Sequence, residues 1–223
     1  MKMFAMGAAL ALLAGCATTQ PSRELSGLQS GFLHDYSVLR PDPQDPGFRH
    51  YTAPDLRPGQ YRSFLVEDLS FIVNTNQGYQ ALDTARLREL SDYYMSQMTA
   101  MLQARQYEVG KAAGPGVARL RVAVVGLAQV APQLKATDLI PAKMLFNVAR
   151  MATDTSPHVL RMSIEGEMLD STSGRLLGST IDGRESGATV AGSATPPSAD
   201  QMHELIDFWV ARFGERLDRI AAR

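Results

Sequence analysis

Few residues of this sequence are equipped for chemistry. They are one thiol, Cys16; a pair of carboxylates two residues apart, Glu165 and Glu167; and four histidines, His34, His50, His158 and His203. Paired carboxylates can divide acid and base work, as in glycoside hydrolysis. A spacing of two also puts both on one face of a strand, and an exposed strand face is normally charged. The second reading is the simpler one. The histidines are far apart, with no His-x-His or His-Glu-x-x-His step that would set two metal ligands side by side. Gly183-Arg-Glu-Ser186-Gly lacks the spacing of a nucleophile elbow. Gly114-Pro115-Gly116 lacks the Gly-Lys-Ser/Thr ending of a phosphate loop and reads as a turn. Tyr93, Tyr94 and Trp209 could line a sugar-binding surface, but Tyr94 and Trp209 fall on apolar stripes and fit a core better. No enzyme, no metal centre and no cofactor is expected.

Cys16 stands differently. One positive charge at Lys2 precedes an uncharged run of Phe, Ala, Met, Gly and Leu that ends in Leu13-Ala14-Gly15-Cys16. A charged start, a short apolar core and small residues at a cut site are the parts of an export signal. Crossing the hydrocarbon layer needs about 20 apolar residues, so this run is too short to span it. The ending Leu-Ala-Gly-Cys looks like a lipobox, where the thiol receives a diacylglyceryl group and cleavage leaves Cys16 first. A lone cysteine in an exported chain would otherwise be a loose thiol in an oxidising compartment. Acylation, with a palmitate-type chain among those added, consumes it. Two or more chains anchor stably, each buried methylene adding about 0.8 kcal/mol. Ala17 at the sorting position, where Asp marks inner-membrane retention, favours the outer membrane, on its periplasmic face.

Cleavage before Cys16 would remove one lysine and no acid, turning the formal charge of −1 into −2. No basic stripe for nucleic acid is present. With hydrophobic residues at 45% the chain can bury a core. The expected organisation is a signal peptide over residues 1–15, a lipidated cysteine and tether over 16–36, and one periplasmic domain over 37–223. Residues 17–30 are small and polar, a flexible stretch reaching on the order of 45 Å. Five prolines in residues 37–60 argue for ordered or semi-extended connecting chain rather than helix.

From Tyr61 the periodicities become regular. Residues 62–73 read as a first strand. Asp83 caps a helix over 83–103 with Leu87, Leu90, Tyr94, Met98, Met101 and Leu102 on one face. A short strand over 107–109 and the turn at 114–116 precede a long strand over 117–130, and residues 141–152 read as a short helix opened by Pro141. Residues 159–169 alternate Leu160, Met162, Ile164 and Met168 inward with Arg161, Ser163, Glu165 and Glu167 outward, then turn at 170–174 into a strand over 175–184. Residues 187–198 read as a mobile loop. Ser198 and Gln201 form a capping box for a last helix whose stripe is Met202, Leu205, Ile206, Trp209, Phe213, Leu217 and Ile220. The fold class is α+β, a mostly antiparallel sheet with helices packed on one face, after a signal peptide and flexible tether.

These residues also carry a resemblance. Ser30-Gly31-Phe32-Leu33 with Asp35-Tyr36 and Leu39, Tyr51 with Pro54 and Tyr61, the 114–116 turn into Leu120-Arg121-Val122-Ala123, and Glu165-Gly-Glu167-Met-Leu-Asp170 with Thr172 and Gly174 resemble the bacterial lipoproteins grouped as domain of unknown function 3313. Where family members tend to show Asp-Pro-Val in the first strand, this chain has Val66-Glu67-Asp68-Leu69. The resemblance implies a Gram-negative envelope lipoprotein and no assigned activity. Two functions compete: a non-catalytic accessory or adaptor that binds another envelope protein, or a cell-wall glycan binding module or weak hydrolase. Besides the membrane reached through its acyl anchor, the expected partner is an envelope protein, with self-association open. The candidate interface is the apolar part of 140–152, namely Met144, Leu145, Phe146 and Met151, since methionine-rich surface adapts to partners; packing of that helix onto the sheet is the alternative.

Overall fold

The computed structural model describes residues 20–21, 29–45, 47–72, 82–110, 112–131, 157–192 and 195–222. The lipobox residues Leu13, Ala14, Gly15 and Cys16 and the candidate interface residues Met144, Leu145, Phe146 and Met151 lie outside them. The elements are β1 (Gln20–Pro21), β2 (Arg40–Pro41), β3 (Arg49–Thr52), β4 (Ser63–Val66), β5 (Ser70–Phe71), α1 (Thr84–Ala104), β6 (Glu108–Val109), β7 (Val117–Val130), β8 (Pro157–Asp170), β9 (Leu176–Ala191) and α2 (Ala199–Ala221). The class is the expected α+β. Among the described residues one sheet runs β2-β3-β9-β8-β7-β4-β6, with β1 beside β9 and β5 beside β7. β7, β8, β9, β3 and β2 pair antiparallel, whereas β4 and β5 pair parallel to β7.

Local chemistry starts both helices. The Asp83 side chain accepts from the Arg86 N–H, and Ser198 and Gln201 exchange the two bonds of a capping box. From α1, Leu90, Tyr94, Met98 and Leu102 are buried at steps of four; from α2, Met202, Leu205, Ile206, Trp209, Val210 and Leu217 are buried. Both stripes join one core with Leu120, Val124, Leu160, Met162, Ile164 and Met168, so the even-numbered residues of β8 face the helices. α2 is pinned to the end of the sheet by Gln201, which donates to Ala188 O at 3.1 Å, and by the Glu204 carboxylate, which accepts from Gly187 N and Ala188 N.

Four expectations need correction. The first strand is broken into β4 and β5: Glu67 N still donates to Leu120 O, but Leu69 N turns from the sheet and donates to Ser91 Oγ of α1. Residues 187–191, expected in a mobile loop, continue β9, since Ala191, Val190 and Thr189 register against Pro157, His158 and Val159. Backbone pairing is indifferent to small side chains. The proline-rich 37–60 region contributes two strands, with β3 registered on Ile181–Gly178 of β9. The folded domain also reaches back past residue 37. Gln20–Pro21 pairs with Glu185 and Arg184, and residues 30–41 cross the face of the sheet opposite the helices, where Leu33, Leu39 and Ile181 form a second small core.

Candidate functional site

That crossing segment overturns the expected exposure of the carboxylate pair. Glu165 is 0% and Glu167 1% exposed. They point away from the helices, as the alternation of β8 requires, but the segment Ser30–Tyr36 covers them. Glu165 Oε1 accepts from Ser30 N at 3.0 Å, while its Oε2 accepts from Ser30 Oγ at 2.7 Å and from the Tyr36 hydroxyl at 2.6 Å. Glu167 Oε1 accepts from His34 N at 2.6 Å; its Oε2 lies 2.7 Å from His34 Nδ1 and accepts from Arg121 Nη1 at 3.2 Å. A buried carboxylate persists only when paired and hydrogen-bonded, and these two are bonded at both oxygens. The Tyr36 hydroxyl is a hub, accepting from Gly31 N and Leu33 N while it donates to Glu165. Burial and that hydrogen bond both push the Tyr36 phenol above its ordinary value of 10.0. Phe32 lies under the Arg121 guanidinium, 4.6 Å from its ring centre, which ties the segment to β7 as well. The arrangement is a latch: two acids of β8 hold the segment Ser30–Tyr36 on the sheet.

The other face carries a cavity of about 100 Å³ between the sheet and the helices. Tyr94 and Met98 of α1, Trp209 and Phe213 of α2, and Val122 and Gly166 of the sheet help enclose it. It exists because two helix-facing positions of adjacent strands are glycine. Gly166 stands between Val122 and Thr180, and Gly178 stands between Met168 and Thr52 in the next row. Beside the cavity lies a buried ionic cluster. Asp182 Oδ2 accepts from Trp209 Nε1 at 3.0 Å, and Asp182 Oδ1 is 2.8 Å from Arg184 Nη2. Asp45 Oδ2 accepts from both Arg184 and Arg212. Burial lifts the Asp182 carboxyl from 3.8 to about 6 against the pull of Arg184, Arg212 and the Trp209 N–H. For Asp45 burial also acts upward, but the two guanidiniums outweigh it and hold the carboxyl below its usual range.

The other singled-out residues do not converge. His34 sits on Glu167, His50 Nε2 is 3.4 Å from Asp42 Oδ2, and the His203 ring stacks on Tyr93 with centroids 3.7 Å apart. Among the described residues no group of three His, Cys, Asp or Glu could hold a metal ion. Tyr94 and Trp209 are buried, as a core role requires, and the Tyr93 hydroxyl donates to Asp207. At Gly114–Gly116 the structure has a turn, with Gly116 at φ 73° and Gly114 bonded through its N–H and C=O to Ser171 Oγ.

Residues 28–213 match the family model described as a protein of unknown function, DUF3313. The chain belongs to this family. The residues that carried the resemblance turn out to touch one another: Ser30 and Tyr36 on Glu165, Arg121 on Glu167, Tyr61 and Thr172 on Asp170. Over 206 residues the chain is 25% identical to the uncharacterized lipoprotein YdcL of Escherichia coli K12, covering 89% of this chain and 87% of that one. Among solved structures it is similar to the PelC dodecamer of Paraburkholderia phytofirmans (13% identity, 76% of this chain and 95% of that one, TM-score 0.36). It is also similar to a minor lipoprotein of Acinetobacter baumannii (10% identity, 72% and 92%, TM-score 0.34).

Proposed function

We propose that this family member is a non-catalytic lipoprotein of the Gram-negative envelope, acylated at Cys16, anchored in the outer membrane on the periplasmic side, and acting as an accessory that binds another envelope protein. The observation that carries this reading is the latch. The carboxylate pair that offered the best acid–base chemistry is buried and saturated with donors, and its work is to hold Ser30–Tyr36 on the sheet. With its oxygens taken by donors from Ser30, His34, Tyr36 and Arg121, the pair is not open to a water or a sugar, which weighs against the hydrolase alternative. The aromatic platform a glycan reader would use is also engaged, with Tyr93 against His203 and Asp207 and with Tyr94 and Trp209 inside the core. The lipobox and the lipoprotein name of the E. coli relative support the anchor.

Crosslinking in intact cells tests the partner. A photoreactive residue at Met144 or Phe146 of the full chain is expected to capture the same envelope protein, identified by mass spectrometry, and Met144→Glu is expected to lose it with unchanged thermal melting. Capture of peptidoglycan alone would return the glycan-binding alternative. A second copy of this chain as the captured species would make the segment a self-association surface.

A further inference from the structure

The helix-side cavity is unusual in its contents. On the measure by which one water needs roughly 15 Å³, a space of about 100 Å³ has room for several. A water there would find few partners, because most of the enclosing surface is apolar, with Met98, Val122, Ile164 and Leu177 and the faces of Trp209 and Phe213, while Tyr94, Thr180 and Asp182 are among the polar side chains on its wall. Apolar cavities of this kind stay dry and accept apolar guests. The side nearest solvent is different. Arg212 and Arg216, one turn apart on α2 and half-buried, line the same space, with the Phe48 ring beneath both, 3.7 Å and 5.5 Å from their guanidinium carbons. Arg212 also reaches Asp45 Oδ2 at 2.9 Å, and Arg216 donates to Tyr51 O at 3.3 Å and to Thr52 Oγ1 at 2.8 Å, so both guanidiniums are held in place at this edge.

The geometry points to a binding site for a single-chain amphiphile with an anionic head: the apolar chain enters over Gly166 and Gly178 between sheet and helices, and the carboxylate or phosphate head stays at Arg212 and Arg216. Tyr94, whose buried hydroxyl has no hydrogen-bond partner among the described residues, lies on the wall of the same cavity. This site lies on the opposite face of the sheet from the latch, so it stands whether or not a protein partner exists.

The protein carries its own reporter, since Trp209 is its only tryptophan and lines the cavity. The mature, acylated protein in nanodiscs is titrated with a hexanoate brominated at its chain end, with an alkyl phosphate of the same brominated chain, and with the matching trimethylammonium cation. The expected result is saturable quenching of Trp209 by both anions and at least tenfold weaker quenching by the cation; a preference between the two anions assigns the head as carboxylate or phosphate. Val122→Phe, which extends a ring into the cavity, is expected to abolish quenching while leaving the emission maximum in place. Should that variant fail to fold, Arg216→Gln serves instead, weakening the anions at least fivefold and the cation not at all. Linear, unsaturable quenching shared by anions and cation, which is partition into the nanodisc, overturns the site. So does saturable quenching that neither substitution changes.

Discussion

Removing the hydroxyl of Tyr36 is the sharpest test of the latch. Tyr36→Phe keeps the ring, which packs beside Leu33, Leu39 and Ile181, and deletes one oxygen that makes three hydrogen bonds. The bond to Glu165 is charge-assisted and part-buried at 2.6 Å, a class worth about 1.5–3 kcal/mol. The bonds accepted from Gly31 N and Leu33 N add less, because Gly31 is exposed and its N–H can turn to water. Glu165 keeps both donors from Ser30, so its charge is not abandoned. The expected loss is about 2–4 kcal/mol, a large share of the 5–15 kcal/mol of an ordinary domain.

How that loss appears shows whether the latched segment unfolds with the sheet or opens by itself. If Ser30–Tyr36 folds as one unit with the sheet, urea unfolding of Tyr36→Phe shifts its midpoint with unchanged slope. If the segment opens locally, amide exchange at Leu33 and His34 rises to the level of open chain while the global midpoint barely moves. Either result fits a latch. A midpoint shift below about 0.5 kcal/mol with undiminished protection at Leu33 would refute the reasoning, since the hydroxyl would then contribute no more than a surface contact.

Cys16→Ser is expected to abolish incorporation of a clickable fatty acid, because diacylglyceryl transfer needs the thiol; undiminished labelling would sink the anchor. Trp209→Ala should cost about 3–5 kcal/mol, the range for truncating a large buried aromatic, read by thermal unfolding, and a wild-type emission maximum typical of full water exposure would contradict it. Asp182 predicts a pH dependence of definite sign. Its carboxyl is raised from 3.8 to about 6 on folding, so the native state holds the proton more tightly, and the contribution of Asp182 to stability is greatest below about pH 4, falls as pH rises to about 6, and is level above. The wild type minus Asp182→Asn difference in unfolding free energy should therefore drop by about 3 kcal/mol across that window; a difference that rises with pH would reverse the assignment.

What was legible in the sequence is what depends on neighbours in the chain. The capping box at Ser198 and Gln201 and the stripe of α2 need only steps of three and four residues, and the β8–β9 hairpin needs only alternation and the turn at Asp170, whose Oδ1 accepts from Thr172 N and Ser173 N. The carboxylates were misread for the opposite reason. Alternation correctly turned Glu165 and Glu167 away from the helices, but it cannot say that the second face of a sheet meets water. The segment that covers them lies more than 120 residues earlier in the chain. One signal was present: Ser30, His34 and Tyr36 are three donors at close spacing beside Phe32 and Leu33, an odd composition for a tether and a suitable one for a strip that must bury apolar side chains and satisfy buried acids together.

The same register explains why the cavity was invisible. In Glu165-Gly166-Glu167 the acids draw the eye to one face, yet the glycine faces the other, and there it leaves a gap that no helix side chain fills. A Cβ at Gly166 would come within 3.2 Å of Thr180 Cγ2, so a larger residue would have to displace its neighbour on β9 as well as fill the space. Three consecutive residues thus serve two separate devices: the acids fix the N-terminal segment on one side, and the missing side chain between them opens an apolar site on the other. A substitution at Glu165 or Glu167 should therefore loosen the segment Ser30–Tyr36 without changing the cavity, whereas Val122→Phe should do the reverse. Amide exchange at Leu33 and anion quenching of Trp209 read the two effects independently; a single substitution that moved both would show that the two faces of β8 are coupled through its backbone.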